Sequence, residues 1–276
     1  METHTPNSDV LTAWKERRES LMNILSQTSA DEQLDDALNF CRNIHAEMQR
    51  IAGECVYADF LSAYSQLLFL DVALFDEEIR VTEELIDIRR RQAEQDPHSF
   101  LPYVTNCLFY LAYAHCRAKN SREAMSCIEQ AVDYERLLQK EVPDADTNGL
   151  AMTIYIQAHI YDCFARKILA EDCYIEALEE FDKLLKTDSN PASVRWTIAE
   201  IQVALADFYL QVPFTDKAIE RYLQAAETYR KLLGTNPEAF DKLKQIYDTL
   251  SELYHSEGNL YQSNYYRQLS ACMQRN

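Results

Sequence analysis

Residues 205–237, with the sequence LADFYLQVPFTDKAIERYLQAAETYRKLLGTNP, decide the fold that we expect for the chain. Two apolar stretches with helical spacing flank Pro213. Ala206 stands in the first stretch, Ala218 follows it twelve positions later in the second, and Tyr222 comes four positions after that. Small side chains let two antiparallel helices approach closely, and a large side chain beside them fills the groove. The segment therefore predicts a helical hairpin.

The same spacing recurs in both directions along the chain. In the preceding segments we assign two triplets to it, which are Ala112, Ala124 and Ile128, and Ala165, Ala177 and Phe181. After the central segment, Leu250-Ser251-Glu252-Leu253-Tyr254 repeats the first part, and Ser263 stands where the second small residue is expected. The hairpin is therefore a repeated unit.

This pattern resembles the tetratricopeptide repeat (TPR), which has Leu-Gly-x-x-Tyr on its first helix and Ala-x-x-x-Phe on its second, followed by proline. The resemblance is clear over residues 101–256 and faint over 9–95. It implies an all-α protein, a right-handed α-solenoid of about six antiparallel helix pairs. We expect a flexible N-terminus at 1–8, one repeat domain at 9–276 and a capping helix at 259–276.

The chain departs from the family pattern in two respects. The second-helix small residues that we assign, at positions 124, 177, 218 and 263, are spaced by 53, 41 and 45 residues. The family period is about 34 residues. Alanine or serine also replaces the glycine of the motif, which keeps the side chain small and favours the helix. We therefore expect longer helices than in a standard repeat.

Breaking residues fall between the apolar stretches rather than inside them, and this arrangement predicts twelve helices paired as six hairpins. The predicted helices are 9–27, 31–52, 57–74, 76–95, 101–118, 121–140, 148–169, 171–187, 191–211, 215–233, 237–256 and 259–274.

The composition excludes several classes of protein. Only four glycines and seven prolines occur in 276 residues. Barrels, sandwiches and nucleotide-binding α/β folds need glycine at tight turns and phosphate loops. The chain contains no GxGxxG, GxxxxGK[ST], GxSxG or HExxH motif. We expect neither a bound nucleotide nor another cofactor.

Charge indicates the kind of partner. The chain has 27 basic and 45 acidic residues, a formal net charge of −18. Such a surface repels nucleic acid and anionic lipid and attracts basic peptides or proteins. The N-terminal segment lacks the pattern of a signal peptide, and no apolar run is long enough to span a membrane. We expect a cytoplasmic protein.

Two arrangements of cysteine and histidine contain the residue types of a metal site or a catalytic site. Cys41 with His45, and His159 with Cys163, stand four positions apart and so share a helix face, as zinc ligands do. The repeat pattern places the two pairs on non-adjacent hairpins, and scattered cysteines are typical of buried thiols. His115 and Cys116 are neighbours and point in different directions on a helix. We expect no metal site and no catalytic residue.

The resemblance also implies where a partner binds, because the first helix of each TPR pair lines the concave groove. The groove candidates on these helices are Asn106, Phe109, Tyr110, Tyr113, Arg117, His159, Asp162, Cys163, Arg166, Glu200, Val203, Asp207, Gln245, Asp248 and Glu252. One TPR subgroup binds a C-terminal carboxylate with a Lys/Asn/Arg clamp. The matching positions here, which begin with Phe109 and Tyr113, lack it. The acidic members favour a partner with lysine or arginine.

Three functions follow from these patterns. The preferred one is a non-enzymatic scaffold or adaptor that binds a peptide or helix, basic in character, in the groove. The alternative is an effector-responsive regulator that binds a small molecule or signalling peptide inside the solenoid. A helical enzyme is disfavoured because no catalytic constellation is present. The sequence does not indicate the oligomeric state.

Overall fold

The computed structural model describes residues 6–25, 31–141, 148–186 and 191–273, and these residues form twelve helices and no strand. The all-α class and the helix number are as predicted. The helices are α1 (Pro6–Leu25), α2 (Asp31–Ile51), α3 (Glu54–Leu70), α4 (Phe75–Gln95), α5 (Pro97–Arg117), α6 (Ser121–Glu141), α7 (Asn148–Cys163), α8 (Lys167–Leu184), α9 (Pro191–Gln211), α10 (Thr215–Leu232), α11 (Glu238–Ser256) and α12 (Leu260–Cys272).

The chain forms two compact units, Met1–Ala145 and Asp146–Asn276. Unit 1 contains α1 to α6, unit 2 contains α7 to α12, and within each unit consecutive helices pack against one another as antiparallel pairs. Large apolar side chains fill both cores, with Phe60 and Leu61 fully buried in unit 1 and Phe181 and Phe208 in unit 2. None of the described helices combines the length and apolarity needed to cross a membrane.

The turn inside each of the last four pairs closes in the same way. A backbone N–H donates to the carbonyl five residues earlier, as from Phe214 to Tyr209 at 2.8 Å. The equivalent bonds are Asn120 to His115 at 2.9 Å, Arg166 to Tyr161 at 2.9 Å and Asn259 to Tyr254 at 2.8 Å. The residue before each donor has a positive φ, and these residues are Lys119, Ala165, Pro213 and Gly258. This bond is a common way to end a helix.

The shared turn fixes which residues correspond between pairs. A small residue stands three positions before each accepting residue. A second small residue stands twelve positions after the first. The eight residues, all buried, are Ala112 and Ala124, Ala158 and Ala170, Ala206 and Ala218, and Ser251 and Ser263. In the last pair the contact is direct, because the Ser251 hydroxyl donates to the Ser263 carbonyl at 2.9 Å.

This register corrects the sequence assignment for the fourth pair. The small residues there are Ala158 and Ala170, whereas the sequence pattern predicted Ala165 and Ala177. Ala165 is instead an exposed turn residue with φ of 56°. The second-helix positions become 124, 170, 218 and 263, with spacings of 46, 48 and 45 residues. The repeat is therefore longer than a standard TPR, as expected, and far more regular than the sequence assignment indicated.

Several helix boundaries also differ from the prediction, by up to six residues, and two of them have a clear structural reason. The helix predicted at 148–169 ends at Cys163, because the turn at Ala165 interrupts it. The helix predicted to begin at residue 101 begins at Pro97, since proline is well suited to the first helical position. The Asp96 side chain caps this helix by accepting a hydrogen bond from the Ser99 N–H at 3.2 Å.

Candidate functional site

The first helix of the third pair, α5, carries an aromatic surface in unit 1. Phe109, Tyr110 and Tyr113 are half-buried and surround Phe69 at the end of α3, with ring centroids 6.2, 5.1 and 6.0 Å from the Phe69 ring. We call these four residues the aromatic platform. Asn106, one turn before Tyr110 on α5, is exposed. Four predicted groove residues therefore lie on one stretch of α5, and these are Asn106, Phe109, Tyr110 and Tyr113.

Arg117, which we predicted to line the groove, has its guanidinium bonded to other residues of the chain. Its guanidinium forms an ion pair with Glu78, donates to the Phe69 carbonyl at 3.2 Å and lies 5.1 Å from the Phe69 ring centre. The Glu78 side chain is fully buried, and burial lowers the pKa of Arg117. Arg117 therefore joins the end of α5 to the start of α4.

In unit 2, the corrected register changes which residues of α7 match the other first helices. Met152, Tyr155 and His159 correspond to Asn106, Phe109 and Tyr113 in the third pair and to Glu200, Val203 and Asp207 in the fifth. His159 is half-buried, its Nδ1 lies 3.1 Å from the Tyr174 hydroxyl, and burial lowers its pKa. Asp162 and Arg166 fall at the α7–α8 turn, where Asp162 pairs with Lys167 and Arg166 is exposed.

The predicted acidic residues on α9 are bonded to the chain itself. Glu200 accepts a hydrogen bond from the Tyr229 hydroxyl and forms an ion pair with Lys242 at 3.1 Å. Asp207 accepts a hydrogen bond from the Tyr222 hydroxyl. Both tyrosines belong to α10, and burial is the main reason that their pKa values are raised. Hydrogen bonds to these two carboxylates therefore join α10 to α9.

The predicted acidic residues on α11 are in a different situation. Asp248 and Glu252 are exposed, and neither makes a hydrogen bond or ion pair with any residue that the structure describes. Gln245, also exposed, precedes Asp248 by one turn and Glu252 by two, so the three side chains share one helix face. The ion pair from Lys242 to Glu200 places α11 beside α9 on this side of unit 2.

Sequence analysis did not find the bonds between tyrosine and carboxylate. Among the described residues, five tyrosine hydroxyls donate to a carboxylate on the neighbouring helix, including Tyr57 to Glu84 at 2.6 Å and Tyr209 to Glu171 at 2.8 Å. The other three are Tyr64 to Glu77, Tyr222 to Asp207 and Tyr229 to Glu200. The signal was present as an excess of two residue types, 17 tyrosines and 45 acidic residues. These bonds explain part of both excesses.

The histidines and cysteines that have the spacing of zinc ligands make other contacts in the structure. His45 Nε2 lies 3.0 Å from the Tyr57 hydroxyl and 3.2 Å from Glu84 Oε2, and burial raises the pKa of Cys41 to about 12. Within the described ranges, no three histidine, cysteine, aspartate or glutamate side chains are grouped so as to hold a metal ion. His115 is buried, which lowers its pKa.

Comparison with known proteins gives matches among solved structures. No protein-family model and no curated protein matches the chain. BtubC (BKLC) from P. vanneervenii has a TM-score of 0.64 at 17% identity, over 88% of this chain and 91% of that one. The nuclear import adaptor Nro1 from S. pombe has a TM-score of 0.52 at 16% identity, over 97% and 92%. A putative kinesin light chain with TPR-like repeats, from Podosopora anserina, has 0.51 at 14%, over 83% and 96%.

Identities this low show the fold alone. Together with the repeated turn and the small residues at each helix crossing, they establish that this chain has a TPR-like helical-repeat fold, one that generally serves to bind proteins.

Proposed function

We propose that the chain is a non-enzymatic adaptor that binds a basic peptide or helix of a partner protein on the first-helix face of unit 2. The observation that carries this proposal is the pair Asp248 and Glu252 on α11, which are exposed and bonded to no described residue. The fold is shared with a protein described as a nuclear import adaptor, which supports an adaptor role.

The charge of the chain favours a basic partner over any other. A net charge of −18 attracts a basic segment from a distance, and this attraction raises the association rate. At close range, the carboxylates of Asp248 and Glu252 are available to lysine or arginine because no tyrosine or lysine of the chain occupies them. Arginine binds a carboxylate through two parallel hydrogen bonds, so an arginine of the partner is the stronger anchor.

The test compares two double variants of the full-length protein. D248N/E252Q removes both carboxylates from α11. The control E179Q/D182N removes two carboxylates from exposed positions on α8, a second helix of the same unit. Each protein is immobilised and incubated with cell extract, and bound proteins are quantified by mass spectrometry. A peptide copied from the basic segment of a captured protein then gives a Kd for all three.

We expect the partner to be lost from D248N/E252Q and retained by the control, and its binding to weaken as salt is raised. If all three proteins capture the same partners equally, the acidic face of α11 is not the binding site. If the peptide binds equally well at high salt, the partner is not held by charge.

A further inference from the structure

A pocket of about 210 Å³ opens among α10, α11 and α12. Arg230 enters it from α10, Tyr247 from α11, and Tyr265 and Tyr266 from α12. Leu223 and Leu269 form its apolar wall. Small-molecule sites usually have volumes of about 300–1,000 Å³, so this pocket is better matched to one or two side chains of a protein segment.

The tyrosine rings are fixed by contacts with one another. The Tyr266 ring centre lies 5.8 Å from that of Tyr247 and 5.1 Å from that of Tyr265. The Tyr254 ring also stacks on Tyr266, with ring centres 5.6 Å apart and planes 5° apart. The pocket is therefore a preformed aromatic site, which reduces the ordering needed for binding.

Three phenols and one guanidinium line this pocket. No hydroxyl of Tyr247, Tyr265 or Tyr266 makes a hydrogen bond with any described residue, and Arg230 forms no ion pair with one. The one carboxylate on the rim, Glu227, is bonded to Lys231 at 3.0 Å.

The charges around the pocket act on the phenols. Burial raises the pKa of Tyr247, and the nearby positive charge of Arg230 opposes that rise. Burial also raises the pKa of Tyr266 to about 12, and the phenols of Tyr254, Tyr265 and Tyr247 add to the rise. Phenolic hydroxyls and a guanidinium are thus concentrated beside a single lining carboxylate, Glu227, whose ion pair is with Lys231 rather than with Arg230.

Elsewhere among the described residues, five tyrosine hydroxyls donate to a carboxylate of the neighbouring helix. In this pocket no described carboxylate accepts a hydrogen bond from the tyrosine hydroxyls, because Glu227 pairs with Lys231 instead. We propose that a partner protein supplies such a carboxylate, and that the pocket binds an aspartate or glutamate side chain flanked by an apolar residue. Arg230 pairs with the carboxylate, the tyrosine hydroxyls donate to it, and the apolar neighbour packs against Leu223 and Leu269.

This site is independent of the proposed function. It selects an acidic residue, whereas the first-helix face of α11 selects a basic one. Its central residue, Arg230, lies on α10 rather than on a first helix. Substitutions at Asp248 and Glu252 therefore leave binding to the pocket unchanged, and substitution of Arg230 leaves binding to the α11 face unchanged.

The test is a selection of short random peptides displayed on phage against the full-length wild-type protein. We expect the enriched peptides to share an aspartate or glutamate next to leucine, isoleucine or phenylalanine. The best of them is synthesised and titrated against wild type, R230Q, Y247F/Y266F and the control R267Q. Arg267 is an exposed arginine on α12 that does not line the pocket, so R267Q makes the same change of charge.

Loss of a charge-assisted pair is expected to weaken binding by at least about tenfold in R230Q, with a smaller loss in Y247F/Y266F and none in R267Q. Circular dichroism of each variant checks the fold. The proposal is wrong if no peptide is enriched, if the enriched peptides lack an acidic residue, or if R230Q and R267Q bind the peptide equally well.

Discussion

The first helices α9 and α11 of unit 2 carry the same kind of residue in two different states. On α9, Glu200 and Asp207 accept hydrogen bonds from buried tyrosines of α10. On α11, Asp248 and Glu252 are exposed and bonded to no described residue. Asp207 and Glu252 stand at matching positions of the two helices, so the same charge at one position has two different roles: the Asp207 carboxylate joins α9 to α10, and the Glu252 carboxylate is bonded to no described residue.

The difference lies on the facing second helix. Tyr222 follows Asp207 by fifteen positions, and Arg267 follows Glu252 by the same interval. In the fourth pair the same interval joins His159 to Tyr174, whose side chains are in contact at 3.1 Å. A tyrosine at this position reaches across to the first helix. Arg267 is exposed and leaves Glu252 without a partner among the described residues.

The largest effect is expected where a predicted binding residue proved to be bonded within the fold. Arg117→Met leaves the fully buried Glu78 without its ion-pair partner, which costs about 3–5 kcal/mol of unfolding free energy. Urea unfolding measures the loss. The double variant E78L/R117M removes the buried charge as well and should recover most of the stability. If R117M is as stable as wild type, Arg117 is a surface residue, as the sequence predicted.

The second prediction compares the two helices directly. E200A/D207A leaves the hydroxyls of Tyr229 and Tyr222 without acceptors and should lower the unfolding free energy by about 2–4 kcal/mol. D248A/E252A removes the same charges from α11 and should change it by less than about 0.5 kcal/mol. Urea titrations of both variants measure the difference. Equal losses would contradict the distinction between the two helices.

The fold class was predictable from the sequence because small residues at a fixed spacing are both a packing requirement and a visible pattern. The register of the fourth pair was not predictable, since the turn residue with positive φ is Ala165, where glycine would have marked the end of the helix. Whether each acidic side chain is bonded within the fold was also not predictable from the sequence. At the position of Asp207 and Glu252 the outcome depends on the residue fifteen positions later, which is tyrosine in one pair and arginine in the other, and the repeat pattern does not specify that residue.

A third prediction concerns pH and the bond between Tyr209 and Glu171. Burial first, and then the Glu171 carboxylate, raise the pKa of Tyr209 to about 12, above the value of about 10 in an unfolded chain. The stabilisation from the neutral phenol is therefore complete below about pH 10 and is lost as pH rises toward 12. The pKa of Glu171 is lowered, mainly by its hydrogen bond from Lys217, so its contribution is lost as pH falls through that lowered value.

Urea unfolding across this pH range separates the two groups. Y209F should remove part of the alkaline loss of stability and leave most of the acid loss, whereas E171Q should reduce both. A Y209F protein with the same alkaline loss as wild type would show that the phenol of Tyr209 is not held in the neutral form by its surroundings.

The smallest expected effect comes from building, between α12 and α11, the bond between tyrosine and carboxylate that α11 lacks. Arg267→Tyr places a phenol opposite Glu252, as Tyr222 stands opposite Asp207, and should raise the unfolding free energy by about 0.5–1.5 kcal/mol. Arg267→Phe supplies the ring without the hydroxyl, so the difference between the two variants isolates the hydrogen bond. Because the new phenol occupies Glu252, R267Y should also weaken binding of the basic partner, and R267F should not. A gain in stability without a loss of binding would mean that a carboxylate bonded within the fold still serves a partner, and Glu200 and Asp207 would then return to the binding surface.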